Sequence, residues 1–389
     1  MKKQYRAWAE ISLDAIGHNI REIKKKLSED TMLMCVVKAN AYGHGVFPVA
    51  KELLQNGADS LAVAFADEAV ELRRNGFDVP ILVLGKSTDA DIEELVEFDI
   101  TPAVSDVVFA EKLSEAALAQ GKVAKLHIKL DTGMSRIGFL ADNEKTVDEI
   151  LKISELPGVF VEGIFTHFAT ADEDDESYTM LQFERFMAVT DAIEKRGLKI
   201  PVKHVCNSAG ALKFPHMHLD MVRVGILLYG IYPDSCFDKS RIDLKPAMAF
   251  KSRVSHIKEL EKGMSLSYGR TYTLQEKSRI ATVSVGYADG YQRSLSNRTK
   301  VLAGGQLARQ VGRICMDQCM IDISAVNNIN VGDEVTLFGD PENTLSAENV
   351  AEVLGTIGYE MVCGVGHRVP RIYIKDGEVS GSINYLLDT

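Results

Sequence analysis

Five stretches of this chain end a short apolar run on side chains able to do chemistry. "VVKANAYGHG" (36–45) places Lys38 after the run, followed by a polar, glycine-rich turn with Tyr42. "KLHIKLDTGMSRIG" (125–138) offers Lys129, Asp131 and Arg136, and "GIFTHFATAD" (163–172) offers His167 and Asp172. "KHVCNSAGA" (203–211) carries His204, Asn207 and Ser208, and "DMVRVGILLYG" (220–230) carries Arg223, Gly225 and Ile226. A lysine is almost never fully buried unless it is paired or chemically used. Among apolar neighbours its amine loses protons more readily, which suits a base or an imine-forming nucleophile.

The elements that must position these groups can be read from the pattern. Eight apolar, β-branched runs lie at 31–37, 60–64, 80–84, 100–104, 124–130, 159–166, 202–206 and 220–224. Amphipathic stretches separate most of them. "TDADIEELVEF" (88–98) opens with a Thr-x-x-Asp cap, and 177–197 has apolar residues at helical spacing up to Gly197. Strands alternating with helices predict a parallel sheet, and eight units in about 200 residues favour a (β/α)8 TIM barrel over an open doubly wound sheet. After about residue 240 short strand-like runs separated by Gly, Asn and Asp predict a mostly antiparallel β domain with one helix near 346–356. The expected division is 1–240 for the barrel and 241–389 for the β domain, with 236–245 as linker. "RAWAEISL" reads as a strand preceding the barrel, so residues 1–13 are expected to pair with the β domain. The helix after it would bury Ile16, Ile20, Ile23 and Leu27.

In such a barrel chemistry gathers at the carboxyl ends of the strands, with phosphate bound after strands seven and eight. Those loops hold Ser208 and the backbone N–H groups of Gly225 and Ile226. A lysine facing a phosphate cradle suggests pyridoxal 5'-phosphate, with Lys38 as the Schiff-base amine. A barrel acting on a phosphorylated sugar, with Lys38 as a charge partner, fits these residues equally well. Arg223 bears on the choice: an arginine cannot give up its proton, so beside the pyridine nitrogen it would leave that nitrogen uncharged and the electron sink weak. Such a sink suits a proton that leaves one face of a carbon and is promptly replaced on the other. Arg223 could equally be a structural ion-pair residue.

Whole-chain composition sets the outer limits. The 389 residues are 46% hydrophobic and 25% charged, enough for a full core. A net charge of −11 argues against a general nucleic-acid binder. Cysteines 35, 206, 236, 315, 319 and 363 form no metal or redox spacing and read as reduced core thiols of a cytoplasmic protein. The N-terminus has no apolar signal region, and the longest apolar run (224–232) is too short to span a bilayer, so no membrane partner is expected. "HMH" (216–218) lacks a third ligand and reads as surface; no metal is expected.

Further motifs identify a resemblance. "CVVKANAYGHG", "KLDTGMSRIGF", "HVCNSAG", "MVRVGILLYG", "LSYGRTY", "VGYADGY", "GRICMDQCMID" and "HRVPRIY" occur in the order seen in bacterial alanine racemases, over nearly the whole chain. The resemblance implies an isomerase that interconverts L- and D-alanine on pyridoxal phosphate, supplying D-alanine for peptidoglycan. It implies that Lys38 holds the cofactor and is one base, and that Tyr268 is the second base on the opposite face. Tyr42, Ser208, Gly225, Ile226 and Tyr359 would contact the phosphate, with Asn207 beside them. Arg136 would lie near the ring oxygen and the substrate carboxylate, and the Met316 backbone N–H would meet that carboxylate, its loop oriented by Asp317. Lys129 would be a carbamate steadying Arg136. A chain through His167 to Arg223, with His204 beside it, would relay positive charge toward Tyr268. Tyr287, Tyr359 and Asp172 would narrow the entrance. Lys38 and Tyr268 fall in different domains, and the family joins them between subunits of a head-to-tail homodimer. Gly358 and Gln292 depart from the family pattern near the gate, leaving serine as an alternative substrate. A pyridoxal-phosphate decarboxylase is a more distant alternative.

Overall fold

The computed structural model describes residues 5–234, 237–339 and 345–388. Each of the eight apolar runs forms a strand of one parallel sheet. After β1 (Ala7–Ser12) come β2 (Met32–Val36), β3 (Ser60–Val63), β4 (Ile81–Lys86), β5 (Thr101–Val104) and β6 (Ala124–Asp131). A two-residue strand, β7 (Phe139–Leu140), branches off β6, and β8 (Val159–Phe165), β9 (Val202–His204) and β10 (Met221–Val224) follow. The order is β10-β2-β3-β4-β5-β6-β8-β9. The two ends meet: Asp220 N donates to Lys203 O at 3.1 Å and Arg223 N to Cys206 O at 3.0 Å. This is a (β/α)8 barrel and not an open sheet. Strands such as β3 and β10 are buried at every position, as a sheet covered on both faces requires.

β1 lies outside the barrel. It pairs antiparallel with β11 (Met248–Leu260) and parallel with strand Arg371–Lys375. β11 also pairs with Ser278–Val283 and Glu334–Phe338, so it is the spine of a nine-stranded, mostly antiparallel sheet. Ser12 ends β1 and caps α1 (Leu13–Lys24), its Oγ accepting from Ala15 N at 3.1 Å. Ile16, Ile20 and Ile23 are fully buried; Leu27 lies beyond the helix end and is partly buried.

Some expectations are corrected. The Thr88–Asp91 cap forms, but it opens a 3-10 turn (Asp89–Asp91) before helix Ile92–Glu97. Among the described residues the β domain holds two α-helices, Ala347–Leu354 and Gly358–Cys363. The second spans only six residues, too few to display a period. Its first residue must be small: a Cβ on Gly358 would stand 2.9 Å from Ile231 Cγ2. Within the stretch read as linker, Ile242 and Leu244 are buried; its residue 236 lies outside the described residues. His218 is not at the surface but buried, bonding Ala211 O at 2.8 Å. Cys363 is exposed and Cys315 half-buried, so these two are not core thiols.

Candidate active site

Lys38 leaves β2 at the mouth of the barrel. One turn of left-handed backbone follows, with φ of +53°, +55°, +53° and +51° at Ala39, Asn40, Ala41 and Tyr42. Left-handed helix costs an L-residue roughly 1–2 kcal/mol, so four in succession must be held by their surroundings. Ala41 N donates to Val37 O at 2.8 Å and Gly43 N to Ala39 O at 2.9 Å. Glu68 accepts from Ala39 N at 2.6 Å, and the Asn40 amide donates to the Tyr385 hydroxyl at 2.6 Å. Arg371, buried in the β domain, donates to Gly43 O at 2.9 Å and to the carbonyls of Gly366, Val369 and Val365. Gly43 lets the helix Gly358–Cys363 of the β domain in close, because a Cβ there would lie 2.4 Å from Val362 O. The β domain thus fixes the turn that aims Lys38. Burial, and then the Arg136 charge, lower the pKa of the Lys38 amine; Glu68 and Cys363 oppose them.

A cavity of about 190 Å3 lies at this mouth. Lys38, His167, Asp172, Arg223 and Tyr359 line it, and so do Tyr42, Asn207, Ser208, Gly225 and Ile226. The Tyr42 and Tyr359 rings lie 6.2 Å apart. Burial raises both phenols, so they remain hydrogen-bond donors. Gly225 has no room for a side chain, since a Cβ would sit 2.6 Å from the Tyr42 hydroxyl. Its N–H is not open, as the sequence reading had it: it donates to Ser208 Oγ at 3.0 Å. That leaves the Ser208 proton to point elsewhere. Asn207 caps the turn at Gly210 N, 2.9 Å away, and so shapes the cradle.

Arg223 is buried and tied at both terminal nitrogens. Nη1 donates to His204 Nδ1 at 3.0 Å and to His204 O at 3.1 Å. Nη2 donates to Thr166 O at 2.8 Å and Val205 O at 3.1 Å, with His167 Nδ1 at 3.3 Å. Burial lowers the guanidinium to about 10, so it keeps its charge at neutral pH. His167 is pushed well below the usual histidine value by burial and by the charges of Arg223, Arg136, Lys129 and Lys38. The positive charge therefore stays on Arg223 and is not carried by His167. Lys129 is buried beside them, its amine bonded to Leu130 O at 2.5 Å and lowered to about 7 by burial and then by Arg223. Arg136 follows a loop shaped by Asp131, whose Oδ1 accepts from Gly133 N at 2.9 Å and Ser135 N at 3.0 Å.

The remaining predicted residues form a second group on the β domain. Tyr287 N donates to Cys315 O at 3.0 Å and Ala288 N to Met316 O at 3.1 Å, joining two loops. Gly286 permits that contact, since a Cβ would lie 2.3 Å from Cys315 O. Arg368 bridges buried Asp289 at 2.7 Å and Asp317 at 2.5 Å. Ser267, next to Tyr268, donates to Arg313 O at 2.6 Å. Tyr268 is 71% exposed, Met316 52% and Tyr287 41%, and none of them lines the barrel-mouth cavity.

Residues 11–233 match the family described as alanine racemase, N-terminal domain, and 247–373 match alanine racemase, C-terminal domain. The chain belongs to the alanine racemase family. It is 49% identical over 381 residues to an alanine racemase of Clostridium tetani (strain Massachusetts / E88), covering 97% of this chain and 98% of that one. An alanine racemase of Methanococcus maripaludis is 49% identical over 368 residues, covering 94% and 98%. Among solved structures, alanine racemase of Clostridium difficile 630 superposes with a TM-score of 0.95 at 44% identity, covering 99% and 100%. The alanine racemase of Bacillus anthracis with bound L-Ala-P gives 0.94 at 39%, covering all of both chains. Members of this family are isomerases.

Glu68, Phe165 and Arg371 also shape the site, although their sequence surroundings give no sign of it. Arg371 sat inside a quoted motif, but nothing in "HRVPRIY" indicates a contact with residue 43. The Phe165 ring lies 5.3 Å from the Arg223 guanidinium carbon and 5.4 Å from Lys129 Nζ; Lys129 is its partner on the neighbouring strand β6, whereas Arg223 comes from β10, two strands away.

Proposed function

We propose that this chain interconverts L- and D-alanine with pyridoxal 5'-phosphate as cofactor, and that its D-alanine serves peptidoglycan. The residues fit that group: Lys38, the donor cradle of Tyr42, Ser208, Ile226 and Tyr359, and the guanidinium of Arg223 surround one cavity, and Gly225 keeps it clear of a side chain. When bound, the cofactor supplies a ring that acidifies the α-hydrogen of an amino acid joined to it.

The chain's own groups supply the rest. Lys38 Nζ, with its lowered pKa, exchanges the proton on one face of the α-carbon. Arg223 faces the ring nitrogen as a donor that does not surrender its proton, because five acceptors hold it in place. Tyr268 Oη exchanges the proton on the opposite face. Because Tyr268 is exposed and absent from the cavity of its own chain, it reaches the cavity of a second copy. The assembly is then a head-to-tail homodimer with two shared sites. His167, accepting from Arg223 through Nδ1, keeps an Nε2–H to donate toward the phenolate of the partner subunit's Tyr268. Arg136 and the Met316 N–H of the partner subunit take the substrate carboxylate. Lys129 is carbamylated: its amine, about half neutral near pH 7, is the form that adds carbon dioxide, and the resulting anion attracts Arg136 and Arg223. Tyr359, Asp172 and the partner's Tyr287 narrow the entrance toward a methyl side chain.

The observation that carries this reading is the cavity where Lys38 and Arg223 meet. The experiment is chiral chromatography after incubation with L-alanine, L-serine, L-lysine and L-arginine, with the visible absorbance of bound cofactor recorded alongside. Tyr268→Phe should abolish α-proton exchange from one enantiomer of alanine far more than from the other. Equal loss from both would contradict two opposed bases.

A further inference from the structure

Arg223 is the first link of a line that crosses the barrel interior away from the mouth. Its Nη1 donates to His204 Nδ1 at 3.0 Å. An arginine has no acceptor atom, so His204 Nδ1 must be bare and its ring proton must sit on Nε2. That Nε2 is 2.9 Å from His127 Nδ1. It donates there, so His127 Nδ1 is bare as well and its proton sits on Nε2. His127 Nε2 lies 3.5 Å from Glu162 Oε2, at the limit of hydrogen-bond reach, and Lys125 holds the other carboxylate oxygen at 2.7 Å. A second proton on either ring would set two donors against each other, so both imidazoles are neutral. Glu162 also lines a separate cavity of about 120 Å3 with Met32, Ile81, Thr101 and Val202. Each of those four opens its strand, so this is the end of the barrel opposite the mouth.

Two features of the backbone and one ring stack shape this line. A Cβ on Gly163 would stand 2.6 Å from His127 Nδ1, so only glycine admits the ring across β8. The β6–β8 register shifts between Leu126↔Val161 and His127↔Gly163, leaving Glu162 with no residue opposite. Bulges of this kind re-aim side chains. Phe165 then stacks on His204, ring centroids 4.8 Å apart and planes 9° from parallel.

We propose that Glu162, His127 and His204 are positioning residues for Arg223: a one-way line of donors, anchored at the carboxylate, that keeps His204 Nδ1 bare toward the guanidinium. The line rests on the reading of Arg223 as the residue facing the cofactor's ring nitrogen. With Glu162 removed, His127 is free to carry its proton on Nδ1. His204 must then carry its own on Nδ1, against an arginine N–H, and Arg223 is displaced.

The test is nitrogen-15 NMR of histidine-labelled holoenzyme, together with the rate at which holoenzyme loses pyridoxal phosphate on dilution. In the wild type, His127 and His204 are both protonated on Nε2 only. Glu162→Leu gives a mixture of tautomers at both rings, and cofactor loss speeds up about tenfold, the lower end of what loss of an outer-shell partner costs at metal sites. Glu162→Gln, whose amide oxygen still accepts from His127, retains the wild-type tautomers and a near-wild-type rate. A wild-type spectrum with a proton on either Nδ1 overturns the proposal, and that spectrum decides alone if Glu162→Leu does not fold. A folded Glu162→Leu with unchanged tautomers or unchanged cofactor loss also overturns it. Arg223→Met separates the two readings: if it holds the cofactor as the wild type does, the ring-nitrogen role fails while the tautomers stand.

Discussion

Lys129 gives a prediction whose sign differs between its two chemical forms. As a free amine it is buried, with its pKa brought from 10.5 to about 7 by burial and by the Arg223 charge. That fall corresponds to roughly 5 kcal/mol, of which about 4 opposes folding at pH 7. The folded pKa is below the unfolded one, so the penalty is complete below pH 7 and disappears as pH rises from about 7 to 10.5. For a free amine, Lys129→Met would stabilise the fold by up to that amount. As a carbamate, the same side chain is an anion between Arg136 and Arg223, and Met leaves two cations without it. Removing one partner of a buried ionic group costs about 3–5 kcal/mol. We expect Lys129→Met to lower the urea midpoint, and the wild type to unfold at higher urea in bicarbonate than in carbon-dioxide-free buffer. Protein concentration must be held fixed, since association also shifts the midpoint. Mass spectrometry of the native protein should find one added carbon dioxide on the peptide bearing residue 129, absent after acid treatment. A Met variant more stable than the wild type in both buffers, with no bicarbonate effect on the wild type, would refute the carbamate.

Arg371→Leu strips a donor from four carbonyls around the turn after Lys38. It should cost at least about 3 kcal/mol in unfolding experiments and lower kcat more than it raises KM. Gly163→Ala drives a methyl group into the His127 ring and should cost about 1–3 kcal/mol, read by thermal melting. Asp289 is raised by burial but brought lower overall by Arg6, Arg368 and the Gly286 N–H. Its contribution is therefore complete above pH 3.8 and fades as pH falls below that value. Asp289→Asn should cost about 2 kcal/mol and raise KM by loosening the Tyr287 and Met316 loops.

The barrel was legible because most of its strands, β2 and β3 among them, are largely buried and read as short apolar runs. Lys38, His167, Ser208 and Arg223 were legible for a related reason: a polar residue at the end of such a run has only the mouth to occupy. Arg371 and Glu68 were not, since each acts on a turn more than 25 residues away and the sequence carries no mark of that contact. The left-handed turn at 39–42 was hidden because Ala39, Ala41 and Tyr42 are not residues that favour positive φ; the turn exists only because Glu68, Tyr385 and Arg371 hold it. The free N–H expected at Gly225 was lost to Ser208, a local side-chain to backbone bond of the kind such residues form readily. The short helix Gly358–Cys363 went unseen because six residues are too few to show a helical period.

In the proposed dimer, Lys38 of one chain and Tyr268 of another serve the same substrate carbon. Two inactive homodimers, Lys38→Ala and Tyr268→Phe, should be mixed, exchanged under mild dissociating conditions and assayed for racemisation. A shared site predicts that activity returns, because each mixed dimer pairs an unaltered Lys38 with the partner's unaltered Tyr268 once. If mixed dimers form and stay as inactive as their parents, the two bases belong to one chain and the account is wrong.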